Sequence, residues 1–61
     1  MTLLSKYHYE KTWQQTTHKD LLTILKEELP DAPAEAMISY IQGECKKGKT
    51  VRLVDISFKA K

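Results

Sequence analysis

The sequence has one cysteine, two glycines, two prolines and no long apolar run, and each shortage excludes a class of protein. Since Cys45 is the only cysteine, no disulfide can form within the chain, and a single thiol suits a reducing cytoplasm. Gly43 and Gly48 do not form a glycine-rich phosphate loop. No apolar stretch approaches the roughly 20 residues that span a bilayer, so we expect no membrane segment.

Catalytic and metal-binding patterns are also missing. His8 and His18 stand without a cysteine or carboxylate at metal-ligand spacing, so we predict no metal site and no cofactor. The serines lack a nucleophile motif, and no histidine is positioned by the sequence to activate Cys45. We therefore predict that the protein is not an enzyme and takes no small-molecule substrate.

The composition is that of a soluble globular protein, with 41% hydrophobic and 30% charged residues. Residues 1–61 can make only a single small domain, and a chain of this length buries only about 60% of its unfolded surface. Domains this small gain stability from well-packed helices or from self-association. We predict a cytoplasmic homodimer.

The clearest element is the segment from Lys19 to Leu29, whose leucines and isoleucine recur at spacings of three and four residues. This spacing is typical of a helix with one apolar face. Thr17 and Asp20 have the spacing of a capping box at its start, and Pro30 ends it. We expect the other elements to be arranged so that the apolar face is covered.

A second helix is predicted from Ala32 to Lys47. Asp31 is the expected N-cap, and Pro33 is tolerated in the first turn because its missing N–H would be unpaired there. Gly43 interrupts the helical pattern, so either the helix ends there or the glycine lets another backbone come close, and we favour the second. Gly48 follows a basic last turn and is predicted to end the helix.

The segment from Lys49 to Ala60 is rich in β-branched and aromatic residues and is predicted to be a strand. Its apolar alternation changes phase between Leu53 and Val54, which indicates a bulge or a strand covered on both faces. The strand needs a ladder partner, either the segment from Leu3 to Tyr9 or the same strand of a second copy. The N-terminal segment fits a strand or a helix, and its tyrosines favour the strand. The predicted fold is α+β, with two antiparallel helices packed against a small antiparallel sheet.

The charges are divided unevenly along the chain. Residues 1–42 contain four lysines and six acidic residues, a net charge of −2, whereas residues 43–61 contain six basic and two acidic residues, a net charge of +4. Such an asymmetry either serves solubility or indicates an anionic partner, which would be nucleic acid or an acidic protein surface. The candidate nucleic-acid-binding residues are Lys46, Lys47, Lys49, Arg52 and Lys59.

Two aromatic residues are candidates for binding a partner. Trp13 is the largest apolar side chain, and we expect it to cover the core with its indole edge exposed, or to stack on a base. Tyr40 lies off the apolar stripe of the second helix. With these residues or a strand edge, the protein would be an interaction module, a regulator or inhibitor of another protein.

The sequence from Lys47 to Phe58, KGKTVRLVDISF, follows two predicted helices. This order of helix, helix, glycine turn and Val-x-Leu-Val strand resembles the first half of the histone-like HU and integration host factor family, over Thr17 to Ala60. Asp55 and Ser57 stand where that family has glycines, the second helix is shorter, and the sequence lacks the DNA-embracing arm, so no intercalating residue is carried over. The resemblance implies a dimeric arrangement of two helices and a strand, with nucleic acid as the ligand.

Overall fold

The computed structural model describes residues 2–61 as two hairpins that flank two helices. The elements are β1 (Leu3–Tyr7), β2 (Gln14–Thr16), α1 (His18–Glu28), α2 (Ala34–Lys46), β3 (Val51–Leu53) and β4 (Ile56–Ala60). All strand pairs are antiparallel, in the order β2-β1-β4-β3. The predicted α+β fold, with two helices and a small antiparallel sheet, is confirmed.

The first and last strands form the centre of the sheet. Leu3 pairs with Ala60 and Tyr7 with Ile56, and the Lys61 N–H donates to the Thr2 carbonyl beyond the end of the ladder, at 2.9 Å. Of the two candidate partners for the C-terminal strand, the structure shows the N-terminal segment. β4 therefore has both of its ladder neighbours within one chain, and the unpaired strand that motivated a homodimer does not arise.

Helix α1 forms where its capping and apolar patterns predict. The Asp20 N–H donates to the Thr17 hydroxyl at 3.2 Å, and the Thr17 N–H donates to the Asp20 carboxylate at 3.0 Å. These reciprocal bonds satisfy two backbone groups at the helix start. Hydrogen bonding of the Asp20 carboxylate to the backbone and side chain of Thr17 lowers the pKa of Asp20. Leu21 and Leu25 are buried on the face that the spacing selected.

Helix α2 corrects two predictions. Its N-cap is Pro33, with no side-chain hydrogen bond, so the assignment of Asp31 as N-cap was wrong. Gly43 continues the helix, but a Cβ built there would meet no atom within 4 Å, so no backbone approaches it closely. Gly48 has a φ of 89°, the left-handed conformation of a helix-ending glycine, as predicted.

The predicted strand from Lys49 to Ala60 is in fact a hairpin. Strands β3 and β4 pair with Leu53 opposite Ile56, so Val54 and Asp55 form a two-residue loop. The change of phase in the apolar pattern is this turn, and neither a bulge nor two-sided burial is needed to explain it. Val54 has a φ of 42°, which a β-branched residue rarely adopts. Sequence signals for such a turn, glycine or asparagine, are missing here.

The core lies between the helices and one face of the sheet. Both hairpins contribute alternate residues to it, so the strands have one buried side and one open side. The buried apolar side chains are Leu3, Leu21, Leu25, Ile38, Ile41, Cys45, Val51, Ile56 and Phe58. Ser5 and Thr16 are the buried polar residues of this inner face, and their hydroxyls are hydrogen-bonded to each other.

Candidate nucleic-acid interface

The opposite face of the sheet, which we call the outer face, is not covered by a helix within residues 2–61, because both helices pack on the inner face. It consists of the strand positions between the buried ones, namely Leu4, Lys6, Gln15, Arg52, Ser57 and Lys59. The register aligns them in two rows across the strands. One row runs Arg52–Ser57–Lys6, and the other Lys59–Leu4–Gln15.

Trp13 lies against the outer face rather than over the core. The Lys59 Nζ is 4.4 Å from the centre of an indole ring, and the Lys6 Nζ is 5.6 Å from it. Both distances are within the range of cation–π attraction. The side chain is half-buried and does not pack against the apolar core, so the expectation that Trp13 covers the core was wrong.

Arg52 makes a cross-strand contact at the other end of the outer face. Its Nη2 is 3.4 Å from His8 Nδ1, in the turn that follows β1. That turn is fixed by the His8 N–H, which donates to the Asp55 carbonyl at 2.9 Å, and by the Glu10 N–H, which donates to the Tyr7 carbonyl at 3.0 Å. The contact brings an arginine and an imidazole together on an exposed surface, where both can donate hydrogen bonds to an anion.

The outer face is basic because its strand positions include three cations and no acid. Asp55 lies in the loop between β3 and β4, and the other acidic residue close to these strands along the chain is Glu10, which follows β1. Its carboxylate accepts a hydrogen bond from the Tyr7 N–H at 2.9 Å, and its carbonyl accepts one from Lys6 Nζ at 3.3 Å. Glu10 thus holds the turn, and Arg52 and Lys59 keep their charges without a carboxylate within ion-pair distance among residues 2–61.

Three of the predicted nucleic-acid-binding residues, Lys46, Lys47 and Lys49, lie at the end of α2 and the turn into β3. Glu44 lies among them, with its Oε2 3.7 Å from the Lys47 Nζ and 4.0 Å from the Lys49 Nζ. This carboxylate offsets part of their positive charge. The five candidates therefore divide between this turn, which we call the α2–β3 turn, and the outer face, which contains Arg52 and Lys59.

Tyr40 lies on a different side of the molecule from Trp13. Its side chain is 55% exposed on α2, beside a groove of about 220 Å³ that separates the helix from the edge strand β3. Glu44 and Lys49 line the same groove. Because α2 packs on the inner face and Trp13 contacts the outer one, the two aromatic residues do not form one surface.

An acidic pair joins the end of α1 to the tip of the C-terminal hairpin. Partial burial, the charge of Asp55 and the hydrogen bond that protonated Glu28 can donate to Asp55 raise the pKa of Glu28. Burial, and after it the charges of nearby groups that include Glu28 and Asp55, raises the pKa of the Tyr7 phenol, which stacks on Tyr9 with ring centres 5.3 Å apart. Glu28 and Asp55 thus form a small acidic pair at this end of the molecule.

Two other side chains with chemical reactivity are Cys45, which lies in the core, and His18, which lies on the surface. Burial raises the pKa of the Cys45 thiol, which is 1% exposed and belongs to the core. His18 pairs with Glu35 at 3.7 Å on the surface. Within residues 2–61 no group of three histidine, cysteine or acidic side chains could hold a metal ion. Across the same range, neither helix has the length and apolar character needed to cross a membrane.

Lys6 and His8 are site residues that the sequence reasoning missed. They alternate with Leu3, Ser5 and Tyr7, so their place on the opposite side of a strand could have been predicted once that segment was taken as extended. Their proximity to Arg52 and Lys59 depends on the pairing of β1 with β4, which no local pattern contains.

No family model matches this chain, and no curated protein or solved structure matches it significantly. The resemblance to the histone-like family therefore stays a prediction.

Proposed function

We propose that the protein is a small, non-enzymatic accessory protein that binds nucleic acid through its outer face, with the α2–β3 turn as a secondary contact. One observation supports this proposal above the others: an uncovered sheet face on which Lys6, Arg52 and Lys59 lie together without an acidic strand residue. Cations arranged in this way attract phosphates irrespective of sequence and release the counterions of the nucleic acid.

The strength of binding should depend on salt. Each phosphate contact contributes about 0.7 to 0.9 to the negative slope of log affinity against log salt concentration. Contacts from the three outer-face cations would give a slope of about −2 to −3. The slope would be steeper if the α2–β3 turn also contacted phosphates through Lys46, Lys47 and Lys49. Glu44 reduces the attraction of Lys47 and Lys49 for phosphates.

The test compares two double variants that remove the same charge from different surfaces. Arg52→Gln with Lys59→Gln removes two of the three cations of the outer face, and Lys19→Gln with Lys26→Gln removes two lysines from the exposed side of α1. Fluorescence anisotropy with a labelled oligonucleotide at low salt should show binding about tenfold or more weaker for the first pair, and a much smaller loss for the second. Equal losses would argue for a non-localised charge effect, and no binding by the unaltered protein would refute the proposal.

A second candidate function is regulation of a protein partner through the groove beside Tyr40. The observation that favours it is a 55% exposed tyrosine next to β3, which is an edge strand of the sheet in residues 2–61, and beside Lys49, which suits an acidic protein surface. An extended acidic segment could pair with β3 and contact the tyrosine ring. Tyr40→Ala should then release a stoichiometric partner that nuclease treatment does not release, with nucleic-acid binding unchanged.

Cytoplasmic location and self-association complete the proposal. A free, buried thiol at Cys45 suits a reducing compartment. A homodimer would double the number of cations that one ligand contacts. Light scattering over a concentration series tests the homodimer. The expected result is a mass twice that of the 7.1 kDa chain, and a monomer mass at every concentration would contradict it.

A further inference from the structure

We propose that the ligand of the outer face is single-stranded nucleic acid, and that Trp13 supplies a stacking surface for one of its bases. This inference rests on the proposed function and adds the kind of nucleic acid and the residue that selects it. It comes from the position of Trp13, which is half-buried beside the outer-face cations and outside the core.

The geometry brings together the two kinds of contact that single strands require. Proteins bind them with cations that follow the phosphates and with aromatic rings on which bases stack. Here Lys59 and Lys6 have their ammonium groups 4.4 and 5.6 Å from the centre of the indole ring. Phosphates held by these lysines would therefore belong to a nucleotide whose base is within reach of Trp13.

The indole ring is partly exposed, and the two ammonium groups near it are carried on long side chains. A lysine ammonium group sits on a long side chain and is readily moved, so Lys59 can turn from the ring towards a phosphate while the base takes its place. The exchange replaces a cation–π contact with a stacking contact and a charge-assisted hydrogen bond.

Duplexes would not use this arrangement. In a double helix the base faces are covered by neighbouring bases, and proteins reach the base edges by inserting a helix, a ribbon or a loop into a groove. The outer face is a sheet surface on which, within residues 2–61, no helix is raised. It would touch only the phosphates of a duplex, and Trp13 would find no exposed base there.

The experiment uses the fact that Trp13 is the only tryptophan, so its fluorescence reports directly on the site. Unaltered protein is titrated with a short oligothymidylate and with a duplex of similar length, at low salt. We expect the single strand to quench the tryptophan fluorescence and to bind at least tenfold more tightly than the duplex, which should leave the fluorescence almost unchanged.

Variants then separate stacking from charge. Trp13→Ala should weaken single-strand binding by about tenfold or more and duplex binding by less than about twofold, whereas Trp13→Phe should keep most of the affinity. Tyr40→Ala removes an exposed aromatic residue elsewhere and should change neither. Circular dichroism verifies that each variant folds. If Trp13→Ala does not fold, the fluorescence quenching of the unaltered protein decides whether Trp13 stacks on a base.

The outcomes distinguish the two proposals. If neither nucleic acid binds at low salt, the proposed function fails, and the stacking inference fails with it. If both forms bind equally without quenching, and Trp13→Ala binds as tightly as the unaltered protein, only the stacking inference is overturned. Quenching by the single strand together with a selective loss in Trp13→Ala supports both.

Discussion

The two faces of one sheet show how a chain of 61 residues divides its sequence between folding and surface. Along β4, Ile56 and Phe58 are 1% and 0% exposed, whereas Ser57 and Lys59, between and beyond them, lie on the open side. Two short helices can cover only one face of the sheet. The other face is therefore free to be polar, and the cations there cost the fold little because they remain in water.

The difference between the faces is therefore energetic as well as chemical. Substitutions on the inner face should change stability and leave the surface chemistry alone, whereas substitutions on the outer face should do the reverse. A functional proposal about the outer face can accordingly be tested without losing the fold. The following predictions, in order of decreasing effect, test this separation.

Phe58→Ala should have the largest effect. The ring is fully buried at the centre of the sheet, and its removal leaves a cavity that the surrounding residues cannot fill, at a cost of about 3–5 kcal/mol. A domain this small has little more stability than that, so we expect the variant to be largely unfolded in urea titrations. Lys59→Ala, one residue along, is the control and should change the free energy of unfolding by no more than about 0.5 kcal/mol. Similar losses for both variants would contradict the separation of the faces.

Ser5→Ala tests the polar part of the inner face and should cost about 1 kcal/mol. Ser5 is buried and hydrogen-bonded to Thr16, whose hydroxyl also donates to the Gln14 carbonyl at 3.1 Å. Since that second bond remains, Thr16 is not left without a partner, and the loss is smaller than for an orphaned group. Thermal unfolding measures it, with the exposed Gln15→Ala as the control. An unchanged melting temperature for Ser5→Ala would mean that the hydrogen bond between Ser5 and Thr16 does not contribute to stability.

Val54→Gly tests the turn that determines which residues of the C-terminal hairpin face inwards. Glycine adopts a φ of 42° without the steric cost that valine incurs, but it also gains entropy in the unfolded chain. Relief of strain is the larger effect, so we expect stabilisation by about 0.5 kcal/mol. Thr50→Gly, at an exposed residue without a positive φ, should be destabilising by a similar amount. The same sign for both variants would contradict the strain at Val54.

Local signals explain which parts of the fold could be predicted. The start of α1 is set by Thr17 and Asp20, three residues apart, and its end by Pro30, so a short window of sequence contains the whole element. The C-terminal hairpin could not be predicted in the same way, because its turn uses Val54 where a glycine would have marked it. A strained turn has no sequence signature, and the segment was interpreted as one strand.

The outer face was only partly predictable for a related reason. Arg52 and Lys59 were selected by the charge of the C-terminal third, and the hairpin does bring them to one side of the sheet. Lys6 joins them only through the pairing of β1 with β4, a contact between distant parts of the chain. The size of Trp13 indicated that it would be partly covered, but not which side of the sheet would cover it.

The smallest expected effect concerns Glu28, at the acidic end of the molecule where α1 meets the hairpin tip. Its pKa is raised in the folded protein, so the folded state holds this proton more tightly than the unfolded chain does. The resulting stability is fully present below the unfolded pKa of about 4.3 and is lost as the pH rises through the raised folded value. Glu28→Gln removes this titration, so its melting temperature should exceed that of the unaltered protein at neutral pH by a margin that shrinks as the pH falls.

Glu27→Gln is the matched control, since it removes an equal charge from the next, exposed position of α1. Melting curves between acidic and neutral pH should show a pH-dependent difference for the Glu28 variant that exceeds that of the control, because only Glu28 combines partial burial with a neighbouring Asp55 carboxylate. The Asp55 Oδ1 atom is itself buried without a hydrogen-bond donor in the structure of residues 2–61, so a proton on Glu28 would give it one. The same pH profile for both variants would contradict the raised pKa of Glu28. In either case Lys6, Arg52 and Lys59 are unchanged, so the outer face should bind its ligand with nearly the affinity of the unaltered protein.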